Sequence, residues 1–158
     1  GNYAGSLRAL QNARDCDCND VLWLDAFEHK YIEEVGSSNA FFVIGNEVLT
    51  APLAGTILPG VTRDSVHTLL KEWGVPYSER KVSIDEVIAA AKSGELTEAF
   101  ASGTAAVISP MGLLHYLGEE YAINDRNVGP ISQKLYDTIT GIQTGKNPDT
   151  RGWTQRVV

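Results

Sequence analysis

The chain of 158 residues sets twenty acidic against thirteen basic side chains, for a net charge of −7, and is 43% apolar and 21% charged. Such a chain can bury one globular core unaided, and without a basic run it argues against nucleic acid as a partner. No stretch approaches a membrane span and no charged-then-apolar leader is read, so no membrane is expected.

Cys16 and Cys18 are too few and too close for a disulfide framework, and two thiols do not complete a zinc site. No metal is expected, and a reducing, cytoplasmic setting follows. The chain opens Gly1-Asn2-Tyr3 with no methionine, which reads as a piece of something longer.

Residues 3–14 space Tyr3, Leu7 and Leu10 as an amphipathic helix, ending in the polar run 15–20. The short apolar run 21–24 predicts a buried strand, and 30–35 an extended segment closed by a turn at Gly36-Ser37-Ser38-Asn39. Segments 40–44 and 48–53 flank Gly45-Asn46 as a β-hairpin. A helix over 61–73 stops at Gly74. A strand at 76–83 and a helix at 84–92 follow; 96–100 leads into 101–106, the run 107–109 precedes Pro110, and a strand at 113–117 turns back at Gly118-Glu119 towards 121–123. A last helix starts at Pro130 and runs to 142. The class predicted is α+β (mixed α/β), in one domain without repeats.

Three stretches could carry chemistry. Pro59-Gly60 feeding a helix at Val61 leaves backbone N–H groups clustered at the positive end of the helix dipole. That is a place for a phosphate, or an ordinary helix start. Glu33 and Glu34 are adjacent in an extended segment and so should face opposite sides of a sheet. Both could be solvated; alternatively one turns inward and needs a cationic or N–H partner. Ser102-Gly103-Thr104-Ala105 is small and hydroxyl-rich, suited to close backbone approach to an anion or simply to a tight strand end. Tyr3 could line a cleft or sit in a core. His29, His67 and His115 show no metal-ligand spacing and no nucleophile pattern. Arg63, Lys71 and Arg80 read as surface charges, and Trp23, Trp73 and Trp153 as packing residues.

In order, these pieces resemble the C-terminal half of branched-chain amino-acid aminotransferases, the fold-type IV pyridoxal-phosphate enzymes. The matching blocks are Gly1-Asn2-Tyr3, Val21-Leu22-Trp23-Leu24-Asp25, and Glu33-Glu34-Val35-Gly36-Ser37-Ser38-Asn39. They continue with Gly55-Thr56-Ile57-Leu58-Pro59-Gly60-Val61-Thr62-Arg63, Ser102-Gly103-Thr104-Ala105-Ala106, Gly129-Pro130 and Trp153.

The resemblance implies the large domain of the D-amino-acid aminotransferase-like fold, with strands in a pseudo-barrel arrangement surrounded by helices. It implies pyridoxal 5'-phosphate as cofactor, with Glu34 on the pyridine nitrogen and Tyr3 on the ring hydroxyl. Val61, Thr62 and Thr104 would hold the phosphate, and the N–H groups of Thr104 and Ala105 the substrate carboxylate. Glu33 is left as a solvated surface acid. The implied reaction moves the amino group of L-leucine, L-isoleucine or L-valine to 2-oxoglutarate. The implied partners are the family's own N-terminal small domain and a second copy in a homodimer.

In the family the lysine bonded to the cofactor precedes the Gly-Asn-Tyr block, and the small domain brings an arginine to the phosphate. Residues 1–158 are therefore expected to be the cofactor-binding domain without its covalent anchor, and inactive alone. A Cys-x-x-Cys redox switch carried by some members is replaced here by Ala106 and Ser109. D-Amino-acid aminotransferases and aminodeoxychorismate lyases share the fold type and stand as alternatives, as does a non-catalytic phosphate- or cofactor-binding domain.

Overall fold

The computed structural model describes residues 4–157. Four helices, α1 (Leu7–Asp15), α2 (Val61–Glu72), α3 (Ile84–Ser93) and α4 (Pro130–Gln143), accompany nine strands. These are β1 (Leu22–Leu24), β2 (Ile32–Val35), β3 (Ser38–Ile44), β4 (Glu47–Thr50), β5 (Tyr77–Glu79), β6 (Leu96–Gly103), β7 (Val107–Pro110), β8 (Leu113–Tyr116) and β9 (Glu119–Ala122). The α+β class and nearly every predicted element stand. The strand predicted over 76–83 shortens to β5, because its parallel pairing with β4 lasts only from Val48↔Tyr77 to Thr50↔Glu79.

β3 is the axis of a seven-stranded sheet. Its residues alternate between two cores, as a strand buried on both faces must. Phe41 and Val43 pack with Phe100 under α2 and α4, through Val66, Leu69, Leu70, Leu135 and Ile139. Ala40 and Phe42 pack on the other face with Val87 and Ile88 of α3 and with Leu114 of the β8–β9 hairpin. Phe41 and Phe100 stack at the centre, ring centroids 5.0 Å apart. The barrel-like disposition takes the form of this two-sided sheet, joined by the separate β8–β9 pair.

One edge of β3 is paired with β6 throughout, from Asn39↔Ser102 to Ile44↔Leu96. The other edge is forked. β2 pairs with its first two residues (Glu34↔Asn39, Val35↔Ser38) and β4 with its last four (Phe41↔Thr50 to Ile44↔Glu47). At the fork the Thr50 hydroxyl donates to the Ala40 carbonyl at 2.7 Å, satisfying an acceptor that neither strand covers. The chain leaves β4 at this fork and crosses residues 51–60 to reach α2.

Candidate functional site

The site forms where the fork opens. β2 carries a bulge: Trp23 pairs with Glu34 and Leu24 with Ile32, so Glu33 has no partner on β1. The extra residue shifts the alternation by one. Ile32 and Val35 both enter the α3-side core, and Glu33 and Glu34 both line one cavity of about 480 Å³ together with Asp20, Trp23, Ser37 and Thr56. The expectation that the two glutamates face opposite sides is therefore corrected. Two-residue alternation fails at a bulge, and Glu33 is not the isolated surface acid it was taken for.

Both carboxylates hold the loop that crosses the fork. The Leu58 N–H donates to Glu34 Oε1 at 3.0 Å, and the Thr56 hydroxyl donates to Glu33 Oε1 at 2.7 Å. Asn39, only 5% exposed, completes the clamp: its amide donates to Glu34 Oε1 at 3.3 Å and to the Leu58 carbonyl at 2.9 Å. Asn39 is the residue whose role the sequence understated. The sequence pattern predicts a turn over Gly36-Ser37-Ser38-Asn39, whereas the turn is Gly36-Ser37 alone and Asn39 already belongs to β3.

The loop ends at Gly60, whose backbone is extended (φ −65°, ψ 137°) and which caps α2 without a side chain. The first N–H to find an intrahelical partner is that of Asp64, on the Gly60 carbonyl at 3.0 Å. The N–H groups of Val61, Thr62 and Arg63 precede it, at the positive end of the dipole. Val61 is exposed and Thr62 half-buried. Thr104 and Ala105 are exposed in the three-residue connection between Gly103 and Val107, which pair across β6 and β7. Val107 closes that connection at φ 60°, a strained conformation for a β-branched residue and of the kind stored at binding loops.

Cross-strand register gathers these pieces. Glu34, Asn39 and Ser102 form one row over three strands, about 10 Å from first to last at ordinary strand spacing. A Cβ on Gly60 would lie 2.4 Å from Asn39 Oδ1, and one on Gly103 would lie 2.6 Å from Ser38 Oγ. Glycine at both places lets the α2 start and the β6 end close on β3. Val61, Thr62, Thr104 and Ala105 are outside the lining of the Glu33–Glu34 cavity. Tyr3 lies outside the described residues.

Arg63 is not a surface charge. It is 4% exposed, and its guanidinium reaches Glu79 at 2.6 Å and the Ala51 carbonyl at 3.1 Å. Arg63 thus fastens the start of α2 to β5 and to the loop's first residue. Cys16 and Cys18 line a second cavity on the other side of β1. Burial, then Cys16, Glu120 and Asp17, push the Cys18 thiol up, which favours the neutral form over a nucleophile.

The family profile described as amino-transferase class IV matches residues 1–112. The chain belongs to the class IV aminotransferases. A Bacillus subtilis (strain 168) protein named branched-chain-amino-acid aminotransferase 2 is 57% identical over 157 residues, covering 99% of this chain and 43% of its own length. The branched-chain amino acid aminotransferase structure from Escherichia coli superposes with a TM-score of 0.79 at 30% identity, over 99% of this chain and 49% of that one. A T.th. branched-chain enzyme complexed with N-(5'-phosphopyridoxyl)-L-glutamate gives a TM-score of 0.81 at 27% identity, over 100% of this chain and 49% of that one. The chain thus spans less than half the length of these relatives.

Class IV aminotransferases use pyridoxal phosphate, and the residues here fit such a group. Ser102 is 1% exposed, and among the described residues its hydroxyl has no hydrogen-bond partner. By strand alternation it sits on the α2 side of β6 with Phe100, in the row with Asn39. An orphaned buried hydroxyl costs stability unless a ligand or water completes it. Ser102 pairs with Asn39 of β3, against which Gly60 at the start of α2 packs, and a helix N-terminus favours an anion.

Proposed function

We propose that this chain is the C-terminal, cofactor-binding large domain of a branched-chain-amino-acid aminotransferase. The whole protein, on this reading, moves the amino group of L-leucine, L-isoleucine or L-valine to 2-oxoglutarate and works as a cytoplasmic homodimer. The relatives' greater length supports a small N-terminal domain and a cofactor-bonded lysine supplied from outside residues 1–158. On this reading residues 1–158 are inactive alone.

One observation carries the reading: Glu34 stands in the sheet's fork with Oε1 engaged by Leu58 and Asn39, and among the described residues nothing donates to Oε2. That oxygen is left to hold a proton on a ring nitrogen. The protonated pyridine of the cofactor, when bound, draws electrons from a substrate Cα as its proton leaves. The N–H groups of Val61 and Thr62, with the Thr62 and Thr104 hydroxyls, bind phosphate. The N–H groups of Thr104 and Ala105 orient the substrate carboxylate, and Tyr3 hydrogen-bonds the ring hydroxyl.

A substrate panel on the full-length protein tests the assignment. L-Leucine with 2-oxoglutarate is expected to turn over at an enzyme-like rate, at least about a hundredfold above D-alanine, as a site shaped for one hand demands. Turnover of D-alanine or of aminodeoxychorismate in preference would reassign the chain to another branch of the fold type.

A further inference from the structure

We propose that Glu33 is a positioning residue: through the Thr56 hydroxyl it sets where the loop of residues 54–60 stands, and hence where the α2 N-terminus meets a phosphate. The inference rests on the cofactor reading above. Its basis is the bulge, which turns Glu33 to Glu34's side of β2 and gives the loop two parallel tethers, Thr56 on Glu33 and Leu58 on Glu34.

The two tethers differ in what else they must do. Glu34 has one oxygen committed to the loop and one free for the ligand, so any slack in the loop is felt by the ligand through Glu34 itself. Glu33 has no second task. Around its tether points the loop is stiffened by Ile57 N–H on the Ala54 carbonyl and Gly60 N–H on the Leu58 carbonyl, both at 2.8 Å. A stiff segment held at Thr56 transmits its position to Gly60 and so to Val61 and Thr62. Gly55, Thr56, Leu58 and Pro59 are exposed, so packing does not hold the loop. Hydrogen bonds from β2 and β3 do.

The test uses the full-length protein, titrated with pyridoxal phosphate and separately with pyridoxal, which lacks the phosphate. Glu33→Ala and Thr56→Val should each weaken pyridoxal phosphate binding about tenfold, the scale of a hydrogen bond to a charged group. The double variant should lose no more than either single, and Thr56→Ser, which keeps the hydroxyl, should bind as the wild type does. Pyridoxal affinity should change less than about twofold in every variant, because the tether acts on the phosphate end. Wild-type affinity in both Glu33→Ala and Thr56→Val, additive losses, or equal losses for pyridoxal would overturn the proposal. Should Glu33→Ala not fold, the Thr56→Val and Thr56→Ser pair decides alone. A wild type that binds no pyridoxal phosphate would instead overturn the cofactor reading, and this inference with it.

Discussion

Arg63 and His67 stand one turn apart on α2, and both face Glu79: the guanidinium at 2.6 Å and the imidazole at 3.7 Å. His67 is wedged between the rings of Phe41 and Tyr77, and among the described residues neither ring nitrogen is hydrogen-bonded. Burial first, and Arg63 second, hold its imidazole below the ordinary value, while Glu79 and Asp64 pull the other way. The unfolded chain therefore takes up this proton more readily than the folded one. His67's contribution to stability is full above about pH 6.5 and is lost as pH falls through that value towards the folded one. Replacing His67 with Phe should flatten the fall in the urea midpoint between pH 7 and pH 5, and an unchanged fall would contradict this. Arg63 shows what the sequence did and did not disclose at this scale. Its spacing with Val66 and Leu70 puts it on the buried stripe, but the acid that makes burial tolerable is sixteen residues away on β5.

Element by element, the sequence was most legible where a short-range signal acts. The Gly45-Asn46 turn fixes the β3–β4 hairpin, with Ile44 opposite Glu47, and Pro130 starts α4 as expected. It was least legible where pairing between distant segments decides. The β2 bulge exists only in register with β1, so nothing in Ile32–Val35 alone announces that Glu33 and Glu34 share a side. The start of α4 is a second case. Glu98 of β6, 4% exposed, accepts from the Ile131 and Ser132 N–H groups at 2.9 and 2.8 Å and from the Ser132 hydroxyl at 2.7 Å. It is a helix cap borrowed from a strand thirty-three residues earlier, serving donors that α4's own Gly129 cannot. Glu98→Ala should cost about 3 kcal/mol in urea unfolding, since buried donors lose their acceptor. Glu98→Gln, which keeps one acceptor, should cost less. Equal stability of all three proteins would contradict the capping role.

At the scale of the whole molecule, three of the family blocks are joined at β3. Glu34, Asn39, Gly60 and Ser102 come from four separate segments: Glu34 and Ser102 pair with Asn39 from opposite edges of β3, and Gly60 packs against the Asn39 side chain. That convergence could not be read from any one block, because it depends on β3 pairing β2 and β6 at the same residue, Asn39. Leu53, Leu58 and Val61 stay 49%, 68% and 79% exposed along the crossing loop and the start of α2.

The central claim is that Glu34 serves the pyridine nitrogen while the start of α2 holds the phosphate. The most direct measurement is the visible spectrum of the full-length protein with pyridoxal phosphate, followed after L-leucine is added, for wild type and Glu34→Gln. The account predicts a cofactor band in both. In wild type it bleaches with leucine, and in Glu34→Gln it bleaches at least about a hundredfold more slowly, the scale of a lost charge-stabilising group. Equal bleaching rates, or no cofactor band in the wild type, would contradict it.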